Sequence, residues 1–144
     1  MKRSSNVVWK GNGPKGAGAI TTQSGAFKEQ PYSVNTRFMA EDGKAGTNPE
    51  ELIAAAHASC FSMALAFALT GAGHDPTEIH TSAVVDLQKL EAGWTLTGIA
   101  LETQGKVAGI TNEQFVELAE GAKKNCPISR ALAATPITLS AKLL

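Results

Sequence analysis

The polar and apolar positions of this chain are most unevenly spread between residues 47 and 69, TNPEELIAAAHASCFSMALAFAL. From Leu52 to His74 no Asp, Glu, Lys or Arg appears. The stretch opens as a helix opens. Thr47 or Asn48 is placed to cap, Pro49 stands at the first helical position where its missing N–H costs nothing, and Glu50 and Glu51 face the positive end of the dipole. The pattern predicts a helix from Pro49 to about Leu69, ended by Gly71 and Gly73. A helix apolar on every side is expected to be buried on every side. One small sheet covers too little of it, so the pattern also predicts a second subunit.

Around this helix the periodicity is that of strands. SNVVWK over 5–10 and residues 17–23 flank a Gly- and Pro-bearing turn and read as a hairpin, and residues 32–38, YSVNTRF, read as a third strand ending near Arg37. Residues 39–46 read as a charged loop. Residues 78–90 and 94–103 alternate apolar with polar side chains about Glu91-Ala92-Gly93, which predicts another antiparallel hairpin, with 104–109 as a turn or an extension of its second strand. Thr111 or Asn112 caps a helix through Lys124, with Phe115, Leu118 and Ala119 inward. A short helical segment follows over 128–134, and residues 135–143 close the chain as a strand. The sum is an α+β fold with mostly antiparallel sheets packed around a long buried central helix, in a single domain over 1–144.

The charge balance narrows the possible partners. Lys plus Arg and Asp plus Glu both number 13, a net charge of zero. Such a chain lacks the positive field that draws a protein to nucleic acid or to a membrane surface. MKRSSNVVWKGNG has no apolar signal core, and the Ala-rich central run carries His57, Ser59 and Ser62, so we expect a cytoplasmic core helix and no membrane span. In that compartment two cysteines point to thiol chemistry or to inert packing, not to a disulfide framework.

Cys60 lies mid-helix with His57 at i−3 and Ser62 at i+2. A lone thiol there is ordinarily a small core residue, and a Cys60–His57 dyad for acyl transfer requires an alignment that i and i−3 side chains seldom reach. Cys126 starts the short helix after Lys123 and Lys124, where dipole and cations favour a thiolate. Arg37, Glu50 and Glu51 are the charged groups bordering the apolar helix, and a guanidinium held by a carboxylate would lower the pKa of a buried thiol. His74 and His80 have no partner signal, and no spacing suits a metal.

NPEELIAAAHASCFSMAL about Cys60, NCPISRAL about Cys126 and QPYSVNTRF about Arg37 together resemble the OsmC/Ohr family of thiol peroxidases, and its OsmC branch in particular, over essentially the whole chain. The resemblance implies an OsmC-like fold in an intertwined homodimer with active sites at the subunit interface. It casts Cys60 as the peroxidatic cysteine and Cys126 as the resolving one. Arg37 becomes the guanidinium that activates the thiolate, and Glu50 the carboxylate that positions Arg37; Glu51 receives no role. It further implies organic hydroperoxides, and hydrogen peroxide less well, as substrates in oxidative or osmotic stress defence. A lipoyl or other dithiol is the implied reductant, with no metal, haem or flavin. Two other functions remain open on the residues alone: a non-enzymatic redox sensor using a Cys60–Cys126 disulfide, and a Cys–His acyl hydrolase using His57.

Overall fold

The computed structural model describes residues 1–40 and 42–144; Glu41, within the loop expected over 39–46, lies outside the described residues. The chain divides into two compact units, Met1–Leu52 and Ile53–Leu144. In the first, strands β1 (Ser5–Lys10), β2 (Ala17–Thr22) and β3 (Gln30–Ser33) form an antiparallel sheet in the order β1-β2-β3. Every residue of β1 is exposed, Val7 and Val8 included.

The third strand, expected over 32–38, starts earlier, at Gln30, and ends at Ser33. After Ser33 the backbone coils into one π-helical turn, Asn35–Met39, closed by the Ala40 N–H on the Asn35 carbonyl at 3.0 Å. Ser33 and Thr36 account for the change. The Ser33 N–H donates to Thr36 Oγ1 at 2.9 Å, and the Thr36 N–H donates to Ser33 Oγ at 3.2 Å. Short hydroxyl side chains offer the backbone these local partners in place of a ladder. The polar residues that alternate imperfectly in YSVNTRF are therefore turn-formers, and Arg37 rides on the turn.

The central helix α1 runs Pro49–Gly71. Asn48 is its cap, with Oδ1 accepting the Glu51 N–H at 2.9 Å. At the other end Gly73 takes φ +86°, the His74 N–H reaches the Leu69 carbonyl at 2.9 Å and the Gly73 N–H the Thr70 carbonyl at 3.0 Å. That pair of bonds is the Schellman closure, which a left-handed glycine makes inexpensive.

In the second unit strands β4 (Pro76–Leu90) and β5 (Gly93–Val107) pair antiparallel, and β6 (Ile137–Leu143) joins β5 in parallel. Helix α2 (Asn112–Asn125) starts at the Thr111–Gln114 capping box, and α3 (Pro127–Ala131) follows it directly. α3 stops short of the expected residue 134, with Leu132 as its C-cap and a turn over 132–134. Alternate residues of β5, among them Leu101, Thr103 and Val107, turn inward, with Phe115, Ala119 and Ala122 of α2 packed against them.

Within this chain α1 is not buried on every side. His57, Phe61, Leu65 and Leu69 make a single buried stripe at four-residue spacing, and the three apolar members enter this core. Burial of each full Leu or Phe side chain stabilises by about 1.5–3 kcal/mol. Met63 and Phe67, on other faces of the helix, are 62% and 73% exposed.

α2 sits close to the sheet because β5 offers it a glycine. A Cβ built on Gly105 would stand 2.5 Å from the Phe115 ring, itself fully buried. Gly105→Ala is expected to destabilise the protein by about 1–3 kcal/mol. Thermal denaturation checks it, and an unchanged midpoint would mean that the ring can step aside.

Candidate active site

Two groups of predicted site residues take shape, one in each unit. In Met1–Leu52, Arg37 on the π-helical turn grips Glu50 in the first turn of α1 with both arms of its fork. Nε donates to Oε2 at 3.1 Å and Nη2 to Oε1 at 2.7 Å. Two parallel charge-assisted bonds fix orientation as well as distance. The guanidinium also lies over the Phe38 ring, 4.8 Å from its centroid. With 33% of the arginine and 13% of the glutamate side chain exposed, the pair is partly sheltered from solvent screening. The cation is thus held in one pose with its remaining N–H groups free of Glu50.

In Ile53–Leu144 the two thiols meet. Cys60 of α1 and Cys126 at the head of α3 are both free, and their sulfurs are 3.1 Å apart across 66 residues of sequence. A disulfide needs about 2.05 Å, so roughly one ångström of approach separates this reduced pair from a bond. Cys126 is fully buried while Cys60 is only partly so.

Electrostatics treats the two sulfurs unequally. Burial, and then the hydrogen bond and charge of Cys126, push the Cys60 thiol up; the Ile128 N–H pulls the other way. Burial also pushes the Cys126 thiol up, but the Ser129 N–H, the Cys60 thiol, the Ser129 hydroxyl and the Ile128 N–H together bring it below its ordinary value. Two thiols at this separation titrate as a pair. Within this unit ionisation is favoured on the Cys126 side.

His57 does not serve Cys60. Its Nε2 lies 2.7 Å from Ser129 Oγ, and its buried Nδ1 has no partner, so neither ring nitrogen makes the base–nucleophile bond of an acyl-transfer dyad. Ser62, the other polar neighbour, ties α1 to the sheet by donating to Thr81 Oγ1 at 2.8 Å. Ser129 is the residue that sequence reasoning passed over. Its one signal was its place three residues after Cys126, where a side chain at the head of a helix turns back to the residue that starts it. Glu51 is exposed, and its side chain joins neither group. Among the described residues no group of three or more His, Cys, Asp or Glu is arranged to hold a metal.

A family model described as OsmC-like protein matches residues 41–142. Peroxiredoxin OsmC of Escherichia coli is 48% identical over 135 residues, 94% of this chain and 92% of the relative. Organic hydroperoxide resistance protein OhrB of Bacillus subtilis is 33% identical over 118 residues, 80% of this chain and 81% of the relative. The crystal structure of that OhrB superposes with a TM-score of 0.73 at 26% identity, covering 98% of each chain. An OsmC-like protein of unknown function from Vibrio cholerae superposes with a TM-score of 0.78 at 20% identity, covering 98% of this chain and 99% of its own, which speaks to the fold alone.

Burial lowers the pKa of His57 from 6.5, so the folded protein holds it neutral. Its unfolded state binds the proton more readily, and stability therefore rises with pH through this window. The contribution is complete above about pH 6.5 and is lost as pH falls from there toward the depressed folded value. Thermal midpoints between pH 7.5 and 5 should fall more steeply for the wild type than for His57→Gln; parallel curves would mean that the imidazole is not held neutral.

Proposed function

This chain belongs to the OsmC family and has its OsmC-like fold, two sheets and a central helix, and from that premise we propose how its residues carry the reaction. It is a thiol-dependent peroxidase acting on organic hydroperoxides. Cys60 is the attacking cysteine and Cys126 the resolving one. The observation that carries this reading is the 3.1 Å approach of two free sulfurs, one buried and one partly accessible. Accessibility supports these roles, since a peroxide reaches the partly exposed Cys60 more readily than the enclosed Cys126.

The Cys60 thiolate attacks the terminal oxygen of the hydroperoxide. A sulfur–oxygen bond forms, the O–O bond breaks, and the alkoxide takes a proton and leaves as alcohol, with Cys60 now a sulfenic acid. The Cys126 thiolate then attacks the Cys60 sulfur, a disulfide forms, and the hydroxyl departs as water after taking a proton. An external dithiol returns both cysteines to thiols by exchange and is itself oxidised. No metal, haem or flavin enters these steps, and a lipoyl group is one reductant of the right class.

The first step needs negative charge on Cys60, whereas burial and Cys126 act against it. Arg37, braced by Glu50, is the group that answers this. A guanidinium acting on the Cys60 thiol would favour its thiolate and stabilise the oxyanion that develops as the O–O bond breaks. That Arg37 acts on Cys60 is the part of the proposal carried by the family resemblance. We place the reaction in one OsmC-like domain over 1–144, in the cytoplasm and in peroxide stress defence. An intertwined homodimer is part of the same reading, which the exposure of the large apolar side chains Val7 and Val8 of β1 and Met63 and Phe67 of α1 supports.

Cys60→Ser should abolish consumption of tert-butyl hydroperoxide with a dithiol reductant, and Cys126→Ser should leave a sulfenic acid trappable by dimedone. Arg37→Ala should lower kcat/KM by about 10²–10³ while leaving the fold intact. Full activity in Cys60→Ser would overturn the assignment of the nucleophile. Light scattering behind size exclusion should give twice the 15.0 kDa chain mass, and a 15.0 kDa species would remove the dimer.

A further inference from the structure

A second polar link joins α1 to the segment that carries Cys126. His57 stands three residues before Cys60, and its Nε2 lies 2.7 Å from Oγ of Ser129, three residues after Cys126. The imidazole is fully buried and the serine 5% exposed. The other ring nitrogen, Nδ1, is buried without a partner. A polar ring that gives up water for a single bond is a poor way to fill a core, since an apolar side chain would lose no hydrogen bond on burial. The bond to Ser129 is what the ring has in exchange.

The two links form a pair. His57 and Cys60 share one turn of α1, roughly 4.5 Å apart along its axis at about 1.5 Å per residue. Cys126 and Ser129 share the first turn of α3, which the Arg130 N–H closes on the Cys126 carbonyl at 3.0 Å. Cys60 meets Cys126 at 3.1 Å and His57 meets Ser129 at 2.7 Å, so the two turns run against each other and touch at two points. One point of contact leaves α3 free to swivel on α1; two fix it. Only one of the two is spent in the reaction. When Cys60 becomes a sulfenic acid the contact between thiols is lost, whereas the His57–Ser129 bond is made of groups that the peroxide leaves unchanged.

We propose that His57 and Ser129 are positioning residues whose bond clamps the first turn of α3 to α1 while the disulfide is open, so that Cys126 closes on Cys60 before a second peroxide reaches it. The inference rests on the assignment of Cys60 and Cys126 as the redox pair. Two reactions compete for the Cys60 sulfenic acid. In one, the Cys126 thiolate attacks the Cys60 sulfur, the S–S bond forms, the S–O bond breaks, and hydroxide takes a proton and leaves as water. In the other, a further hydroperoxide gives up an oxygen atom: a second S–O bond forms, the O–O bond breaks, alcohol departs, and Cys60 is left as a sulfinic acid that thiols do not reduce. The first is unimolecular, and its rate follows how often Cys126 stands opposite the sulfenic sulfur. The second follows the peroxide concentration. The clamp acts on the first alone. It acts on the equilibrium in the same sense, because an α3 already held in place has less freedom to lose when the disulfide closes, and clamp and disulfide therefore strengthen each other.

Stopped-flow kinetics and intact mass separate the two fates. With tert-butyl hydroperoxide, His57→Leu and Ser129→Ala should each slow disulfide formation about tenfold, the order of one lost hydrogen bond, with sulfenic acid formation within about twofold of wild type. The Cys60 fraction found as sulfinic acid at a fixed low peroxide concentration should rise about tenfold, in step with the slower closure. The reduction potential of the pair should rise by about 30 mV, that tenfold change converted for two electrons. His57→Gln, which offers an amide N–H to Ser129, should recover most of the loss. Ser62→Ala removes a comparable bond, 2.8 Å to Thr81 on β4, and leaves the clamp in place. It should keep the wild-type closure rate and potential, and an equal loss there would mean general loosening instead of a clamp. Hydrogen exchange on the wild type serves where a variant fails to fold. The Arg130 amide should exchange at rates within about tenfold in the oxidised and reduced proteins, since one hydrogen bond of this size is what holds it once the disulfide opens. A far larger acceleration on reduction, or wild-type closure and potential in both clamp variants, would overturn the clamp while leaving the peroxidase reading standing. A wild-type protein that forms no Cys60–Cys126 disulfide with peroxide would instead overturn the reading on which the clamp rests.

Discussion

Two sulfurs held 3.1 Å apart without a bond are the constraint around which the second unit is arranged. To bring them there the chain needs a rigid rod for Cys60 and a second helix start for Cys126. Both are locked by the same core, since Phe61 directly follows Cys60 and Cys126 itself extends the buried stripe of α2 after Phe115, Ala119 and Ala122. A cavity or shift in this cluster moves a sulfur. Packing and chemistry are therefore not separable here, and the glycine that lets α2 lie close to β5 belongs indirectly to the site.

Electrostatics is divided between the two units in a complementary way. The second unit, taken by itself, favours charge on the enclosed sulfur, because the pKa of Cys126 is held below its ordinary value while that of Cys60 is pushed above it. The first unit holds a guanidinium in one pose, braced by a two-point carboxylate bond and an aromatic face. In the proposed cycle a cation is needed while the O–O bond breaks, and a resolving thiol that ionises readily is needed while the S–S bond forms.

Desolvation, often only a cost, favours the neutral form of the buried His57 imidazole, whose Nε2 lies 2.7 Å from Ser129 Oγ and so ties α1 to α3.

Local chemistry in the sequence determined a good deal. The Asn-Pro-Glu-Glu start of α1, its glycine ending, the capped start of α2 and the alternation of β4 and β5 are all short-range patterns, because caps, periodicity and turns act over a few residues. The two cysteine motifs and Arg37 stood out for the same reason. What only the tertiary structure decided were matters of partnership between distant segments. The parallel pairing of β6, the choice of Ser129 over Cys60 by His57, the single buried stripe on an all-apolar helix and the separation of the two sulfurs depend on groups up to 72 residues apart. The π-helical turn under Arg37 lies between these cases: its hydroxyls are local, but Thr36 also donates to the Thr47 carbonyl eleven residues on. A sequence records which groups are available; the geometry of the folded chain decides which of them meet.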